Sequence, residues 1–325
     1  MRVRLILNSG FSGPHAWFFL AQQRGYFEAQ GLDVEFLPGE GGAAVVPLIG
    51  SAGIDAGYGD INALAERAAF HAPSTAPLSV FSVFNAAPFT IAVRADGPIV
   101  HAADLAGSTL AGHAHDAALK LFPAFADAAG FDPGAARLVP SALGLGQQVR
   151  DLLLTGQVDG VFGYVNTIIA ALAPLEVSPQ QVRFIRFADT LPDLYAHCLM
   201  VDRALLARAP QAVRALVNGL NRGLADTLQD LDAGIAAVAR AAPSIDRAVQ
   251  RRRLVGTLAE EMAHPEAAVL GFGDMEDARL ARGVAALARS GAWPRVPPPE
   301  ELFSRAFLPP LAQRLPVPAP AKDSA

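Results

Sequence analysis

Among 325 residues there is a single cysteine, Cys198. A structural disulfide within the chain is therefore excluded, as is a metal site built on several thiolates. Charged residues make up only 18%, and the net charge of −5 is spread along the chain. No stretch forms the basic stripe that a nucleic-acid surface needs. Hydrophobic residues reach 52%, but much of that is alanine, and no apolar run attains the roughly 18–20 residues of a spanning helix. No Gly-x-Ser-x-Gly nucleophile elbow occurs, and no Ser/His/Asp arrangement or pair of carboxylates at a strand end stands out. The chain opens directly on Met1-Arg2-Val3-Arg4-Leu5, which reads as a strand, with no basic and apolar leader before it. A periplasmic location is expected if a leader has been removed, and a cytoplasmic one if Met1 is the true start.

What is present is a segment that occurs twice. Val45 to Asp60 (V-V-P-L-I-G-S-A-G-I-D-A-G-Y-G-D) aligns with Val149 to Tyr164 (V-R-D-L-L-L-T-G-Q-V-D-G-V-F-G-Y) at an offset of 104. Ile54-Asp55 falls on Val158-Asp159, and Tyr58-Gly59 on Phe162-Gly163. Each copy reads as a helix end, a tight turn, a short apolar strand and a glycine that opens a loop. Open α/β sheets bind ligands beyond the carboxyl ends of their strands. Two such units predict an α/β fold of two lobes facing one cleft, and the length suits two domains.

The rest of the chain alternates short apolar runs with helical stretches, as α/β proteins do. Strands are expected at Val3–Leu7, Leu32–Leu37, Leu78–Phe84, Pro88–Arg94, Leu110–Gly112, Arg137–Val139, Val182–Phe187 and Tyr195–Val201. Helices are expected from Pro14 to about Arg24 and from about Asp116 to Ala129, and almost without break from Asp202 to about Ala288. The first lobe would comprise residues 1–88, the second 89–194, and 195–310 would return the chain to the first. Residues 311–325 would be a mobile Pro/Ala tail. Two crossovers, near Phe89–Val93 and Tyr195–Val201, would make a two-strand hinge.

Candidate ligand-binding residues follow from the strand ends. The loop Ser9 to His15 offers free backbone N–H groups and a helix start, which favour an anion or polar ligand. Ser9, Phe11, Ser12 and His15 belong to it. Ser12 serves either a ligand or as a helix cap, and Trp17 just beyond offers either a stacking face or core packing. In Gly39-Glu40-Gly41-Gly42, the amides at Gly41 and Gly42 could converge on a ligand oxygen as a nest; no Gly-Lys-Ser/Thr follows, so no nucleotide loop is implied. Asp60 and Asn62 follow the first repeat, Tyr164 and Asn166 the second, and Asn85 ends a strand. His113 and His115 stand at a helix start; two histidines without a carboxylate pair make a poor metal site, so donation to a ligand is the better reading. His71, His101, His197 and His264 read as surface or structural. No metal and no cofactor is expected, and the absence of an obvious loop arginine weighs against a strong di-anion.

With these pieces in order, Phe19 to Phe36 (F-L-A-Q-Q-R-G-Y-F-E-A-Q-G-L-D-V-E-F) resembles the opening signature of the SsuA-like solute-binding proteins, a group that takes in binding proteins for thiamine-pyrimidine precursors. G-G-A-A-V-V-P-L-I, I-D-A-G-Y-G-D and Q-V-D-G-V-F-G-Y continue the likeness over roughly residues 2–230, and Gly271 to Leu280 is similar to the group's carboxy-terminal region. The resemblance implies a class II periplasmic-binding-protein-like fold and a monomer that delivers a small solute to an ABC permease without chemistry. The solute classes it implies are alkanesulfonates, taurine, nitrate-like anions and pyrimidine precursors. Among small planar or anionic organic solutes, His15, Trp17, Tyr164 and the two asparagines suit a planar, hydrogen-bonding one, such as a pyrimidine or an aromatic acid, better than a bare sulfonate. The alternative is a cytoplasmic enzyme of pyrimidine or menaquinone-precursor biosynthesis on the same scaffold. The yeast-type pyrimidine synthases carry a cysteine-rich motif that this chain lacks.

Overall fold

The computed structural model describes residues 1–114 and 116–314. Among these residues ten strands occur: β1 (Arg2–Ile6), β2 (Asp33–Leu37), β3 (Ala56–Asp60), β4 (Leu78–Ser82), β5 (Phe89–Arg94), β6 (Thr109–Gly112), β7 (Arg137–Pro140), β8 (Gly160–Tyr164), β9 (Val182–Arg186) and β10 (His197–Val201). They form two five-stranded sheets, ordered β2-β1-β3-β10-β4 and β7-β6-β8-β5-β9. Each sheet belongs to its own compact unit. The first holds Met1–Ala86, Tyr195–Ala281 and residues 294–314; the second holds Ala87–Leu194 and Arg282–Trp293. The stretch Arg282–Trp293, expected with the first lobe, thus belongs to the second.

In the first sheet β1 runs parallel to β2 and β3, while β10 runs antiparallel to β3 and β4. The second sheet repeats the plan: β6 is parallel to β7 and β8, and β5 is antiparallel to β8 and β9. The repeated sequence segments supply β3 and β8, the third strand of each sheet. One detail differs from expectation. No loop follows the repeat strands, because β3 ends at Asp60 and a helix begins at Ile61, while β8 ends at Tyr164 and a helix begins at Val165. Asn62 and Asn166 therefore sit in first helical turns.

The helix Ala16–Gln23 has no polar face through its first six residues, Ala16 to Ala21, all of which are buried. Such a helix must be covered on every side. Helix Pro210–Gln229 lies against it so closely that a Cβ on Gly223 would stand 2.2 Å from the Trp17 carbonyl oxygen. In the second unit the core gathers Ala92, Ala111, Val149, Leu153, Val161 and Ile168, and Phe125 stacks on Phe187 at 4.2 Å between centroids.

The long helical stretch beyond Asp202 is interrupted for local reasons. Ala209, which precedes Pro210, has φ −150° and ψ 61°, as the proline ring demands of its neighbour. Asp230 and Asp246 cap new helices by accepting from Ala233 N–H and Val249 N–H. Residues 311–314 correct the expected tail. Leu311–Gln313 forms a short helical turn, and the buried Arg314 donates to the carbonyls of Pro309, Leu270 and Phe272. Residues 315–325 lie outside the described residues. No described helix is long and apolar enough to cross a membrane.

Candidate functional site

Three segments of the first unit meet at the carboxyl edge of its sheet. β1 ends at Ile6 and leads through Leu7 to Asn8. The loop after β2 runs to Gly42. Because β10 is antiparallel, its first residue, His197, lies at the same edge, in register with Asp60. Asn8 joins two imidazoles here: His15 Nε2 lies 2.6 Å from Asn8 Oδ1, and Asn8 Nδ2 lies 3.2 Å from His197 Nε2. His15 Nδ1 accepts from the Ser12 backbone N–H at 3.2 Å and lies 3.3 Å from Ser12 Oγ.

Packing holds both rings still. The Tyr58 ring lies edge-on to His15 at 6.1 Å and tilted against His197 at 5.2 Å, and Phe84 meets His197 edge-on at 5.0 Å. A Cβ on Gly42 would fall 2.3 Å from His197 Nε2, so only glycine lets this loop pass the ring. Both imidazoles are buried, and burial lowers each from 6.5 to about 3. The nearby charge of Arg253, and then His197, push His15 the same way. Both are therefore neutral at physiological pH.

Helix Arg247–Gly256 brings the positive charge. Its Gln250 Oε1 accepts from Gly13 N–H at 2.8 Å, which pins the loop before His15 to that helix. Arg253, one turn on, is held below the ordinary guanidinium value by burial, while the charge of Glu261 acts against the shift. Its Nη1 reaches Gln250 Oε1 at 3.4 Å. A partly desolvated guanidinium beside a neutral ring favours an anion.

The expected site residues divide into several groups. Ser12 and His15 belong to the cluster, and Gly42 walls it. Ser9 and Phe11 are half-buried on the adjoining loop, Ser9 Oγ donating to Gly10 O and Phe11 resting on Phe19 at 4.8 Å. The amide nest is a correction: Gly39 N–H and Gly41 N–H donate to the carbonyls of Ser9 and Asn8, so they tie two loops together and do not await a ligand. Trp17 is a second correction. It is 0% exposed in the all-buried stretch Ala16 to Ala21 of its helix, so its face is taken by the core. Asp60 caps the helix after β3, accepting from Asn62 N–H and Ala63 N–H. Asn62 donates to Tyr195 O at 2.8 Å, and Asn85 Oδ1 accepts from His264 N–H at 3.1 Å. These two amides hold the chain where it leaves and re-enters the first unit. In the second unit Tyr164 packs edge-on to Phe89 at 5.4 Å, Asn166 is buried in the first turn of its helix, and His113 is half-buried. His115 lies outside the described residues.

Sequence reasoning missed Asn8, His197 and Arg253. His197 was read as surface or structural, and it is buried at the centre of the cluster. Arg253 reverses the impression that no arginine serves the loops. Its only signal was the run Q-R-R-R at 250–253 in a helix otherwise given no role.

Comparison with known proteins bears on the fold and the family. The alkanesulfonate-binding protein SsuA from Xanthomonas axonopodis pv. citri, bound to MOPS, superposes with a TM-score of 0.66 at 16% identity, over 94% of this chain and 97% of that one. The periplasmic aliphatic sulphonate binding protein SsuA from Escherichia coli gives 0.64 at 16% identity, over 93% and 92%. The desulfurization enzyme DSZB gives 0.58 at 15% identity, over 94% and 97%. At these identities the likeness is one of fold: the periplasmic-binding-protein-like fold, which holds both binding proteins and an enzyme. Among curated proteins no sequence matches. The family model NMT1/THI5 like matches residues 12–233, which is more than half of the chain, and the protein belongs to that family.

Proposed function

We propose that this protein is the solute-binding component of an ABC importer, working in the periplasm and taking a small organic anion at the carboxyl edge of its first sheet. The observation that carries the reading is Arg253, a largely buried cation bonded to Gln250, the residue that pins the loop before His15, with its charge felt at that uncharged ring. An anion placed there gains charge-assisted hydrogen bonds without competing against a charged imidazole. The sulfonate-binding neighbours support the same class.

An enzyme on this scaffold is the second reading, because DSZB shares the fold. The chemistry of the site disfavours it. Imidazoles near 3 are poor general bases at neutral pH, and burial pushes the Cys198 thiol up to about 12, so no thiolate is ready.

Calorimetry with MOPS, ethanesulfonate, benzoate, a hydroxymethylpyrimidine and nitrate tests the proposal, with mass spectrometry of each solute after incubation. One or more of the organic anions should bind and return unchanged. Arg253→Met should weaken that binding by about 10- to 100-fold, the worth of a hydrogen bond to a charged group. Binding of the neutral pyrimidine alone, indifferent to Arg253→Met, would refute the anion assignment; turnover of any solute would move the protein to the enzyme class.

A further inference from the structure

We infer that Asn8 is a solute-orienting residue whose amide is locked between His15 and His197 so that it holds one N–H in a fixed direction for an incoming solute. The inference rests on the importer reading and deepens it by naming what the solute must present: an oxygen lone pair, as in a sulfonate or carboxylate.

The direction of the lock begins at the backbone. Ser12 N–H points at His15 Nδ1 from 3.2 Å, and an amide nitrogen can only donate. Nδ1 therefore carries no hydrogen, and in a neutral ring the hydrogen must sit on Nε2. Ser12 Oγ, 3.3 Å from the same Nδ1, donates as well. His15 Nε2–H then donates to the atom of Asn8 2.6 Å away, which has to be the carbonyl oxygen. That leaves Asn8 Nδ2 facing His197 Nε2 at 3.2 Å, so His197 accepts there and carries its own hydrogen on Nδ1. Turning the Asn8 amide over would set N–H against N–H at His15, and Ser12 N–H prevents the ring from changing tautomer to relieve it. A buried donor left without an acceptor costs about 1–3 kcal/mol, enough to hold the amide one way round.

The consequence lies in the hydrogen that is left over. Asn8 Nδ2 has two, and His197 takes one. Asn8 is half-buried at the end of β1, whereas both rings are buried. The second hydrogen is thus the part of the chain of bonds that a solute can meet. Neither ring can swing away to change its polarity, with Tyr58 against both, Phe84 on His197, and Gly42 in contact. The charged groups around the lock are Arg253 from helix Arg247–Gly256 and Glu261, which faces Arg253; Asp60 lies across from His197 in the sheet and is occupied in capping. A fixed donor near a cation favours oxyanions over ammonium groups.

The test reads the lock without any ligand and its use with MOPS. In protein labelled with nitrogen-15 at histidine, two-bond proton correlation should show His15 as the Nε2–H tautomer and His197 as the Nδ1–H tautomer, both neutral at pH 7. Asn8→Asp keeps an acceptor for His15 but has no donor for His197, so His197 should move its hydrogen to Nε2 or take up a second proton. MOPS affinity should fall at least 100-fold in that variant with the far-ultraviolet dichroism unchanged. Asn8→Leu, which adds no charge, should lower MOPS affinity at least 10-fold, separating the lost donor from repulsion. His15 found with Nδ1–H, or Asn8→Leu binding MOPS as the parent does, would overturn the inference. A parent protein that binds none of the organic anions defeats the importer reading instead, while the tautomers still decide the lock.

Discussion

From about pH 6.5 down to about pH 4.5, the protein should lose about 5 kcal/mol of folding stability to two side chains alone. Burial lowers His15 and His197 from 6.5 to about 3. In the unfolded chain both take up protons as the pH falls through 6.5, and in the folded chain neither does until near 3. A base whose folded value is depressed stabilises the fold above its unfolded value and loses that stabilisation as the solution is acidified. Each pH unit below 6.5 costs up to about 1.4 kcal/mol per imidazole; over two units and two rings the ceiling is about 5.6 kcal/mol, and half-protonation of the unfolded rings at 6.5 trims it to about 5 kcal/mol. Total stability in proteins of this kind is about 5–15 kcal/mol, so the loss approaches unfolding. Urea titrations at half-unit steps would measure it. His197→Gln should halve the slope over this window, where most carboxylates remain ionised. A parent protein whose stability is level across the window would show that water or a counter-charge reaches the rings.

The second large effect concerns Arg279→Met. Arg279 Nη1 lies 3.1 Å from Glu266 Oε2, with the two side chains 4% and 8% exposed. The guanidinium also covers the Tyr195 ring at 4.1 Å, and Tyr195 OH donates to Glu266 Oε2 at 2.7 Å. Burial first, and then this bond, raise the phenol above its ordinary value, so it remains a donor. Removing the cation strands a buried carboxylate, which costs about 3–5 kcal/mol. Replacing both partners, Glu266→Gln with Arg279→Met, should cost less than Arg279→Met alone, because no uncompensated charge is left. Thermal unfolding of the three variants tests this; additive losses would mean that the pair is solvated. The loosening should appear first at Tyr195, where the chain re-enters the first unit, as faster amide exchange in β10.

How much of this was legible in the sequence can be argued from particular residues. The strands were, because short, mostly apolar runs such as Leu78–Ser82 and His197–Val201 stand out between turn residues, and both are buried along their whole length. The duplicated segment led to two sheets with the same strand order, and the family was readable from its motifs. The cluster was not, for reasons of distance along the chain. Asn8 and His197 are separated by 189 positions, and Gly13 and Gln250 by 237. No local pattern reports that two such segments share one sheet edge. The glycines after β2 misled in a different way. Their conformational freedom was visible, but whether an amide faces a solute or a neighbouring carbonyl depends on how closely two loops approach. Trp17 was legible after all: a helix reading A-W-F-F-L-A has no solvent face, and its tryptophan belongs to the core.

The place of β10 in the first sheet bears on how the chain folds as it is made. All five strands of the second sheet fall between Phe89 and Arg186, so that sheet can close from one contiguous stretch. The first cannot. Its β3 and β4 do not touch each other, and the strand that joins them begins at His197, after the whole second sheet has been synthesised. Until then β3 and β4 present unpaired edges, the kind of exposure that invites aggregation. Closing the first sheet also carries the entropy cost of a long loop. The second sheet is thus the early folder, and its closure shortens the loop that the first must still close. A chain released before residue 201 should contain one finished sheet and one open one.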